Sequence, residues 1–180
     1  MGTIRLLAIS VLLLCPLFAQ SQQLQLKAET AKAPEMILDH YVQLRLGNAD
    51  WKDYSAFITW PDEPSWDCKW VTEKYDIKPA KRTAKGRIII PVVFKRVGLF
   101  CYDLEFSPGP KDVTVNYELV KRPNGWKIDA PIPDYPDISA DVLKKSLAAR
   151  AENPGESPER RAQFAATLRK LSDSLAHQHR

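Results

Sequence analysis

Residues 86–106 read GRIIIPVVFKRVGLFCYDLEF, a stretch that is rich in β-branched side chains. Such side chains favour strands, and here they occupy both of the alternating faces. A strand that is apolar on both faces is covered on both sides, so it belongs inside a fold. Pro91 has no backbone N–H to give to a neighbouring strand and therefore marks a bulge or an edge position.

The partners predicted for this strand alternate between apolar and polar residues. Residues 71–77 read VTEKYDI and residues 113–119 read VTVNYEL, each with a period of two. This period is typical of a strand with one buried face. Residues 123–125, PNG, predict a turn, after which Trp126 and Ile128 return as a hairpin partner. Together these stretches predict an antiparallel meander.

Helices are predicted before and after the meander in the sequence. Pro34 suits a first helical turn, and apolar residues recur at helical spacing at Ile37, Tyr41 and Leu44. A shorter helical stretch follows over residues 49–57. After the strands, Ser139 predicts the cap of one helix, and Ser157 with Pro158 predicts the start of another.

This order predicts an α+β fold, in which helices pack on an antiparallel sheet. A long sheet that is bent by a bulge, as expected near Pro91, curls around the N-terminal helix. Such a sheet can leave a hollow between itself and that helix, and C-terminal helices follow it. Because the strands precede residues 156–180, we expect them to fold without that segment.

The N-terminal residues of the chain predict export. Arg5 precedes an apolar run, and Ala19 to Ser21 have the small-x-small order of a cleavage site, so residues 1–21 are expected to be a signal peptide. A retained anchor and lipidation at Cys15 are the alternatives. We expect a flexible linker over residues 22–33, the α+β domain with the curled sheet over 34–137, and a helical extension over 138–180. The predicted location is periplasmic or extracellular.

Two cysteines, Cys68 and Cys101, remain after cleavage at Ser21. In an oxidising compartment this even count predicts one disulfide. The few scattered histidines add too little to form a zinc site, so no metal or cofactor is expected. Basic and acidic side chains are equal in number over residues 22–140, and the excess of positive charge lies in the tail. We therefore expect no nucleic-acid partner, and no membrane contact after signal cleavage.

Four stretches resemble one known family. They are PEMILDHYVQL at residues 34–44, WKDYSAFITW at 51–60, GRIIIPVVFK at 86–95 and VTVNYELVKRPNGWKI at 113–128. Their order and the closing hairpin resemble nuclear transport factor two, ketosteroid isomerase and SnoaL-like proteins, in a secreted bacterial branch. The resemblance implies a cone-shaped fold. In the enzymes of this family a carboxylate or histidine inside the cone moves a proton, assisted by a tyrosine, but those roles do not carry over to particular residues here.

The loop WPDEPSWDCKW, residues 60–70, is a candidate ligand wall. Trp60 and Trp66 offer flat apolar faces, and the acids Asp62, Glu63 and Asp67 offer hydrogen-bond acceptors. The alternative is that the tryptophans cover one end of the cone as a plug, which the disulfide holds in place.

Other candidate side chains lie on the strands and on the first helix. Tyr75 and Tyr117, like Tyr102, are expected to direct hydroxyls into the hollow, with ligand contact favoured over proton transfer. His40 would serve as an acid or base only beside a carboxylate, such as Asp39 or Asp103. The sequence leaves packing roles open for all of them.

Three functions follow from these features. The first is an exported, non-enzymatic domain that binds a small apolar or amphipathic ligand through Trp60, Trp66, Tyr75 and Tyr117, or that serves as an interaction domain. The second is a ketosteroid isomerase-like isomerase, dehydratase or hydrolase that uses a cavity carboxylate or histidine with a tyrosine. The third is a homodimer or a protein-binding subunit that pairs through a sheet face or the C-terminal helix, whose apolar stripe comprises Phe164, Leu168, Leu171 and Leu175.

Overall fold

The computed structural model describes residues 33–62, 64–83, 86–109 and 112–178. The predicted signal peptide and the predicted linker lie outside the described residues, except for Ala33. The described helices are α1 (Pro34–Leu46), α2 (Trp51–Tyr54), α3 (Ala140–Glu152) and α4 (Pro158–Gln178), with a 3₁₀ turn over Ser55–Phe57. None of these helices is long and apolar enough to span a membrane.

Seven strands form one strongly curled sheet. They are β1 (Cys68–Ile77), β2 (Lys81–Arg82), β3 (Ile88–Cys101), β4 (Phe106–Pro108), β5 (Asp112–Arg122), β6 (Gly125–Ala130) and β7 (Asp137–Ser139). The order is β6-β5-β3-β1-β7, and β2 and β4 also pair with β3. Every pairing is antiparallel except that of β7 with β1, which is parallel. The fold is α+β, as predicted, and the sheet is mixed because of β7.

The bend of the sheet lies at a different place from the one predicted. The register of β3 against β5 runs without a shift through Pro91, so the predicted bulge is not at this proline. Pro91 instead lies where β1 ends, and its carbonyl accepts a hydrogen bond from the backbone N–H of Lys78. The register of β1 against β3 shifts around Thr72, opposite Arg96. The extra residues there are Glu73 on β1 and Val97 on β3.

These bulges divide β3 between two hydrophobic cores. Before the bulge, Ile88, Ile90, Val92 and Phe94 pack in the first core, and after it Val97 and Phe100 pack in the second. A bulge changes which residues of a strand face a given side. This explains why even-numbered residues are buried before the bulge and Val97 is buried after it, whereas Ile89 and Val93 on the other face are only half-buried.

The first core fills the space between α1 and the sheet. Leu38, Tyr41 and Val42 of α1 are buried against the strands. Ile90, Leu119 and other side chains of the sheet meet them with no exposed surface. Packed side chains therefore fill this part of the space between the helix and the sheet.

The second core joins the C-terminal helices to the sheet. Leu143 and Leu147 of α3 and Phe164 and Leu171 of α4 are buried with side chains of the sheet, which are Val71, Val97, Phe100, Phe106 and Ile138. The apolar stripe of the last helix thus packs within its own chain. The boundary predicted after residue 137 falls inside β7, whose residue Ile138 belongs to this core.

Candidate functional site

A disulfide fixes the loop that carries the tryptophans. Cys68 and Cys101 are bonded to each other, as predicted, and they stand directly opposite in the pairing of β1 with β3. The backbone N–H of Tyr102 donates to the carbonyl of Asp67, 2.9 Å away, so the turn after β3 also holds the loop. The end of the loop is therefore fixed relative to the sheet.

The tryptophans of the loop separate into different surroundings. Trp60 packs against the first core, and its Nε1 is buried without a hydrogen-bond partner among the described residues. Trp66 donates from Nε1 to the carbonyl of Pro133 at 3.1 Å. Trp70 lies on β1, 4.9 Å from the guanidinium carbon of Arg96. Trp60 thus fits the role of a plug, whereas Trp66 is the one that borders a pocket.

That pocket has a volume of about 350 Å³ and opens beside Trp66. Its walls come from the C-terminal end of α1, the loop, the start of β1, the turn after β3 and the start of β7. The lining residues are Arg45, Asn48, Ala49, Pro64, Ser65, Trp66, Lys69, Tyr102, Pro136 and Asp137. We call it the loop pocket. Its lining combines aromatic and proline surface with several hydrogen-bond donors.

Two cations line the loop pocket and are held by neighbouring side chains. The guanidinium carbon of Arg45 lies 4.4 Å from the ring centroid of Tyr54 and 4.9 Å from that of Trp66. Lys69 donates to the side-chain carbonyl of Asn48, and its Nζ lies 5.9 Å from the ring centroid of Tyr102. Cations are attracted to the faces of aromatic rings at such distances.

A buried ion pair closes one side of the loop pocket. Asp137 accepts hydrogen bonds from Nε and Nη2 of Arg96, each at 2.8 Å, and from the hydroxyl of Thr72 at 2.7 Å. Both charged side chains are more than nine-tenths buried. Both carboxylate oxygens of Asp137 accept bonds from a guanidinium. This residue is therefore better suited to a structural ion pair than to the role of a catalytic base.

A second, more open groove of about 480 Å³ contains Tyr75. The Tyr75 hydroxyl donates to Asp39 at 2.6 Å, and the amide of Gln43 donates to the other carboxylate oxygen at 2.8 Å. Burial, together with the hydrogen bond to Asp39, raises the pKa of Tyr75 to about 12. Tyr75 therefore stays protonated at neutral pH. It is better suited to donate a hydrogen bond than to transfer a proton.

Two other candidates lie away from both pockets. Tyr117 is buried in the first core, with its ring centroid 6.3 Å from that of Tyr41, and burial raises its pKa well above the ordinary value. His40 packs edge-on against Phe57, at 5.1 Å between ring centroids. The structure thus separates the four predicted ligand residues, because Trp66 lines the loop pocket, Tyr75 lines the open groove, and Trp60 and Tyr117 pack with the core.

Half of the loop pocket lies outside the residues that the sequence singled out. Arg45 and Asn48 near the end of α1 and Asp137 on β7 are distant in sequence from the loop, and no motif joins them to it. Tyr102 was named only as one of several strand tyrosines. Within the described ranges, no group of three or more histidine, cysteine or acidic side chains is placed to hold a metal ion.

Comparison with known proteins gives no match to a protein-family model, to a curated protein or to a solved structure.

Proposed function

We propose that this chain is an exported, non-enzymatic domain that binds a small amphipathic ligand in the loop pocket. The observation that carries the proposal is the pocket beside Trp66, with Tyr102 and two prolines for apolar contact and with donors from Arg45, Asn48 and Lys69. A volume of about 350 Å³ is within the range of small-molecule sites. Such sites combine apolar walls with a few fixed polar groups.

The rigidity of the walls favours a ligand site over an incidental gap. The disulfide and the Trp66 hydrogen bond hold the loop against the strands and against residue Pro133. A wall that is fixed before binding loses little conformational freedom when a ligand arrives. Export agrees with the disulfide, since such bonds persist in oxidising compartments.

A distant relationship to the cone-fold family is part of the same proposal. The chain has the order expected of it, with a helix first and a curled sheet wrapped around that helix. Members of one fold carry out different functions, so the relationship alone does not give an activity.

A ketosteroid isomerase-like enzyme is the second candidate, and the bond between Asp39 and Tyr75 is the observation that favours it. This pair combines a carboxylate with a tyrosine at the edge of a groove. Both carboxylate oxygens of Asp39 already accept hydrogen bonds from neighbouring side chains, namely Tyr75 and Gln43. Isomerisation of a β,γ-unsaturated ketone, followed by absorbance, distinguishes the two candidates. We expect no turnover, whereas turnover that Asp39→Asn abolishes would favour the enzyme.

Native mass spectrometry of the protein from a periplasmic fraction tests the binding proposal. We expect a small molecule that stays bound under gentle conditions and leaves on denaturation. Trp66→Ala removes a wall of the loop pocket and should abolish this retention. Trp126→Ala, which changes a tryptophan on the β5–β6 hairpin, is the matched control and should keep it. Retention that is equal in both variants would place the ligand elsewhere.

A further inference from the structure

The loop pocket contains a guanidinium whose carbon lies over two aromatic rings. Tyr54 and Trp66 contact Arg45 at 4.4 and 4.9 Å, measured from the guanidinium carbon to each ring centroid. Stacked rings contact the flat faces of a guanidinium, whereas its N–H donors lie in its plane. Stacking of this kind is therefore compatible with in-plane hydrogen bonds to a flat anion such as a carboxylate.

Both rings are themselves fixed. Tyr54 is 1% exposed and belongs to the first core, and Trp66 is held by its bond to Pro133. The fold therefore sets the position of the guanidinium before any ligand binds. Arginine is the side chain best suited to recognise a carboxylate, because its donors match the two carboxylate oxygens.

A second cation lines the same pocket. Lys69 follows Cys68 at the start of β1, so the disulfide fixes its backbone, and its ammonium donates to Asn48. The carboxylate of Asp137, which also lines the pocket, is bound by Arg96 and Thr72. Arg45 and Lys69 make further contacts within the protein, so an anion would bind by sharing or exchanging them.

We infer that the ligand of the loop pocket carries an acidic group, which Arg45 and Lys69 bind, and a flat apolar part, which rests against the pocket's aromatic and proline walls. The ligand class is thus a small aromatic or amphipathic carboxylic acid. This inference rests on the proposed function and specifies which chemistry its site selects.

The test compares two probes of the same shape, 2-naphthoate and its neutral amide, 2-naphthamide, by isothermal titration calorimetry. Hydrogen bonds to charged groups imply that the naphthoate binds about ten- to a hundredfold more tightly. Arg45→Gln should remove most of this preference, because it should lower the affinity for the naphthoate far more than the affinity for the amide. Lys69→Gln should reduce the preference too, and it provides a second variant should Arg45→Gln unfold. Arg122→Gln, an exposed change on β5, is the matched control and should keep the preference.

Each other outcome overturns the inference. Equal binding of both probes to the wild-type protein would show that the pocket does not select an acid, and the proposed binding function would stand. A preference that survives both Arg45→Gln and Lys69→Gln would place the acid at other residues. If neither probe binds the folded protein, the inferred ligand class is wrong, while retention of a ligand in native mass spectrometry judges the binding function separately.

Discussion

Asp137 joins three strands through a single carboxylate. It lies on β7 and binds Arg96 on β3 and Thr72 on β1. The parallel pairing of β7 with β1 spans only three residue pairs. These side-chain bonds therefore supplement a short backbone ladder, and they lie directly beside the loop pocket.

Asp137→Ala should destabilise the protein strongly, because it leaves the Arg96 charge buried without its carboxylate. Breaking a buried pair from one side costs about 3 to 5 kcal/mol of unfolding free energy. Asp76→Ala removes the carboxylate of an exposed pair with Lys78 and should cost at most about 1 kcal/mol. Urea unfolding of the two variants checks this. Similar losses for both would show that the buried pair does not hold β7 in place.

Tyr75 should ionise only near pH 12, since burial and Asp39 raise its pKa from 10.0 to about 12. A folded-state pKa above the unfolded one means that this stabilisation is complete below pH 10 and is lost as the pH rises through about 12. The difference in phenolate absorbance between the wild type and Tyr75→Phe gives this titration. Asp39→Asn should lower the pKa, and Asp76→Asn, in the same groove, should not. An unchanged pKa in Asp39→Asn would contradict the role given to the bond between Asp39 and Tyr75.

At the residue scale, the sequence predicted the disulfide and singled out Trp66, which lies at the edge of a pocket. Both follow from local rules, namely an even cysteine count and a cluster of tryptophans. Arg45 and Lys69 could not be predicted, because only the fold places the end of α1 beside the start of β1. Tyr117 was singled out as a ligand contact but is buried in the first core. The alternation of a strand does not show whether its buried face meets a ligand or a core.

At the element scale, period and caps predicted the long elements well. The helix that begins at Pro34, the strands β1, β3 and β5, and the helices that begin after Ser139 and Ser157 all occur. Ser139 accepts a bond from the N–H of Asp141, and Ser157 accepts one from Arg160. The strands β2, β4 and β7 have two or three residues each, which is too short to show a period. Tertiary pairing alone defines them.

The last helix is bound to the sheet by polar as well as apolar contacts. Thr167, Ser174 and Gln178 of α4 donate to the carbonyls of Leu104, Val97 and Arg96. Two of these carbonyls lie at the β3 bulge, where the backbone ladder is disrupted. These contacts weigh against folding of the strands without residues 156–180, because truncation there should expose the second core.

Leu171→Ala should cost about 2 to 5 kcal/mol of unfolding free energy, because it opens a cavity in the second core. Leu171 has no exposed surface, whereas Met36 on α1 is 49% exposed. Met36→Ala is therefore the control and should change stability little. Thermal unfolding of both variants checks this. A small loss in Leu171→Ala would mean that α4 adds little to the core.

Removing the disulfide should cost about 3 to 4 kcal/mol in the chain-entropy model, since the bond closes a loop across a sequence separation of 33 residues. The double variant Cys68→Ala with Cys101→Ala, compared with the wild type by urea unfolding, measures this cost. We also expect the variant to bind the ligand more weakly, because the loop that carries Trp66 is no longer fixed. Unchanged stability and binding would show that the loop is held by its other contacts.

At the scale of the whole molecule, helix–strand order predicted the architecture, and packing detail decided where the pocket lies. Large side chains such as Tyr41 and Tyr54 pack beneath α1, and the open groove beside Tyr75 lies between α1 and β1. The loop pocket lies beside the loop that the disulfide fixes, where α1, β1 and β7 meet. The two C-terminal helices, α3 and α4, each pack an apolar face against the sheet. The arrangement agrees with a binding domain whose site is at one end of the sheet.

Mapping of amide and indole chemical shifts by NMR during a titration with 2-naphthoate locates the bound acid on the protein. We expect the largest shifts on the Trp66 indole and on the amides of Asn48, Lys69 and Tyr102. Residues around Tyr75, and residues 170–178 of α4, should stay unchanged and serve as internal controls. Shifts that cluster around Tyr75 or on residues 170–178 would contradict the assignment of the loop pocket as the ligand site. An unchanged spectrum at saturating probe would contradict the inferred ligand class.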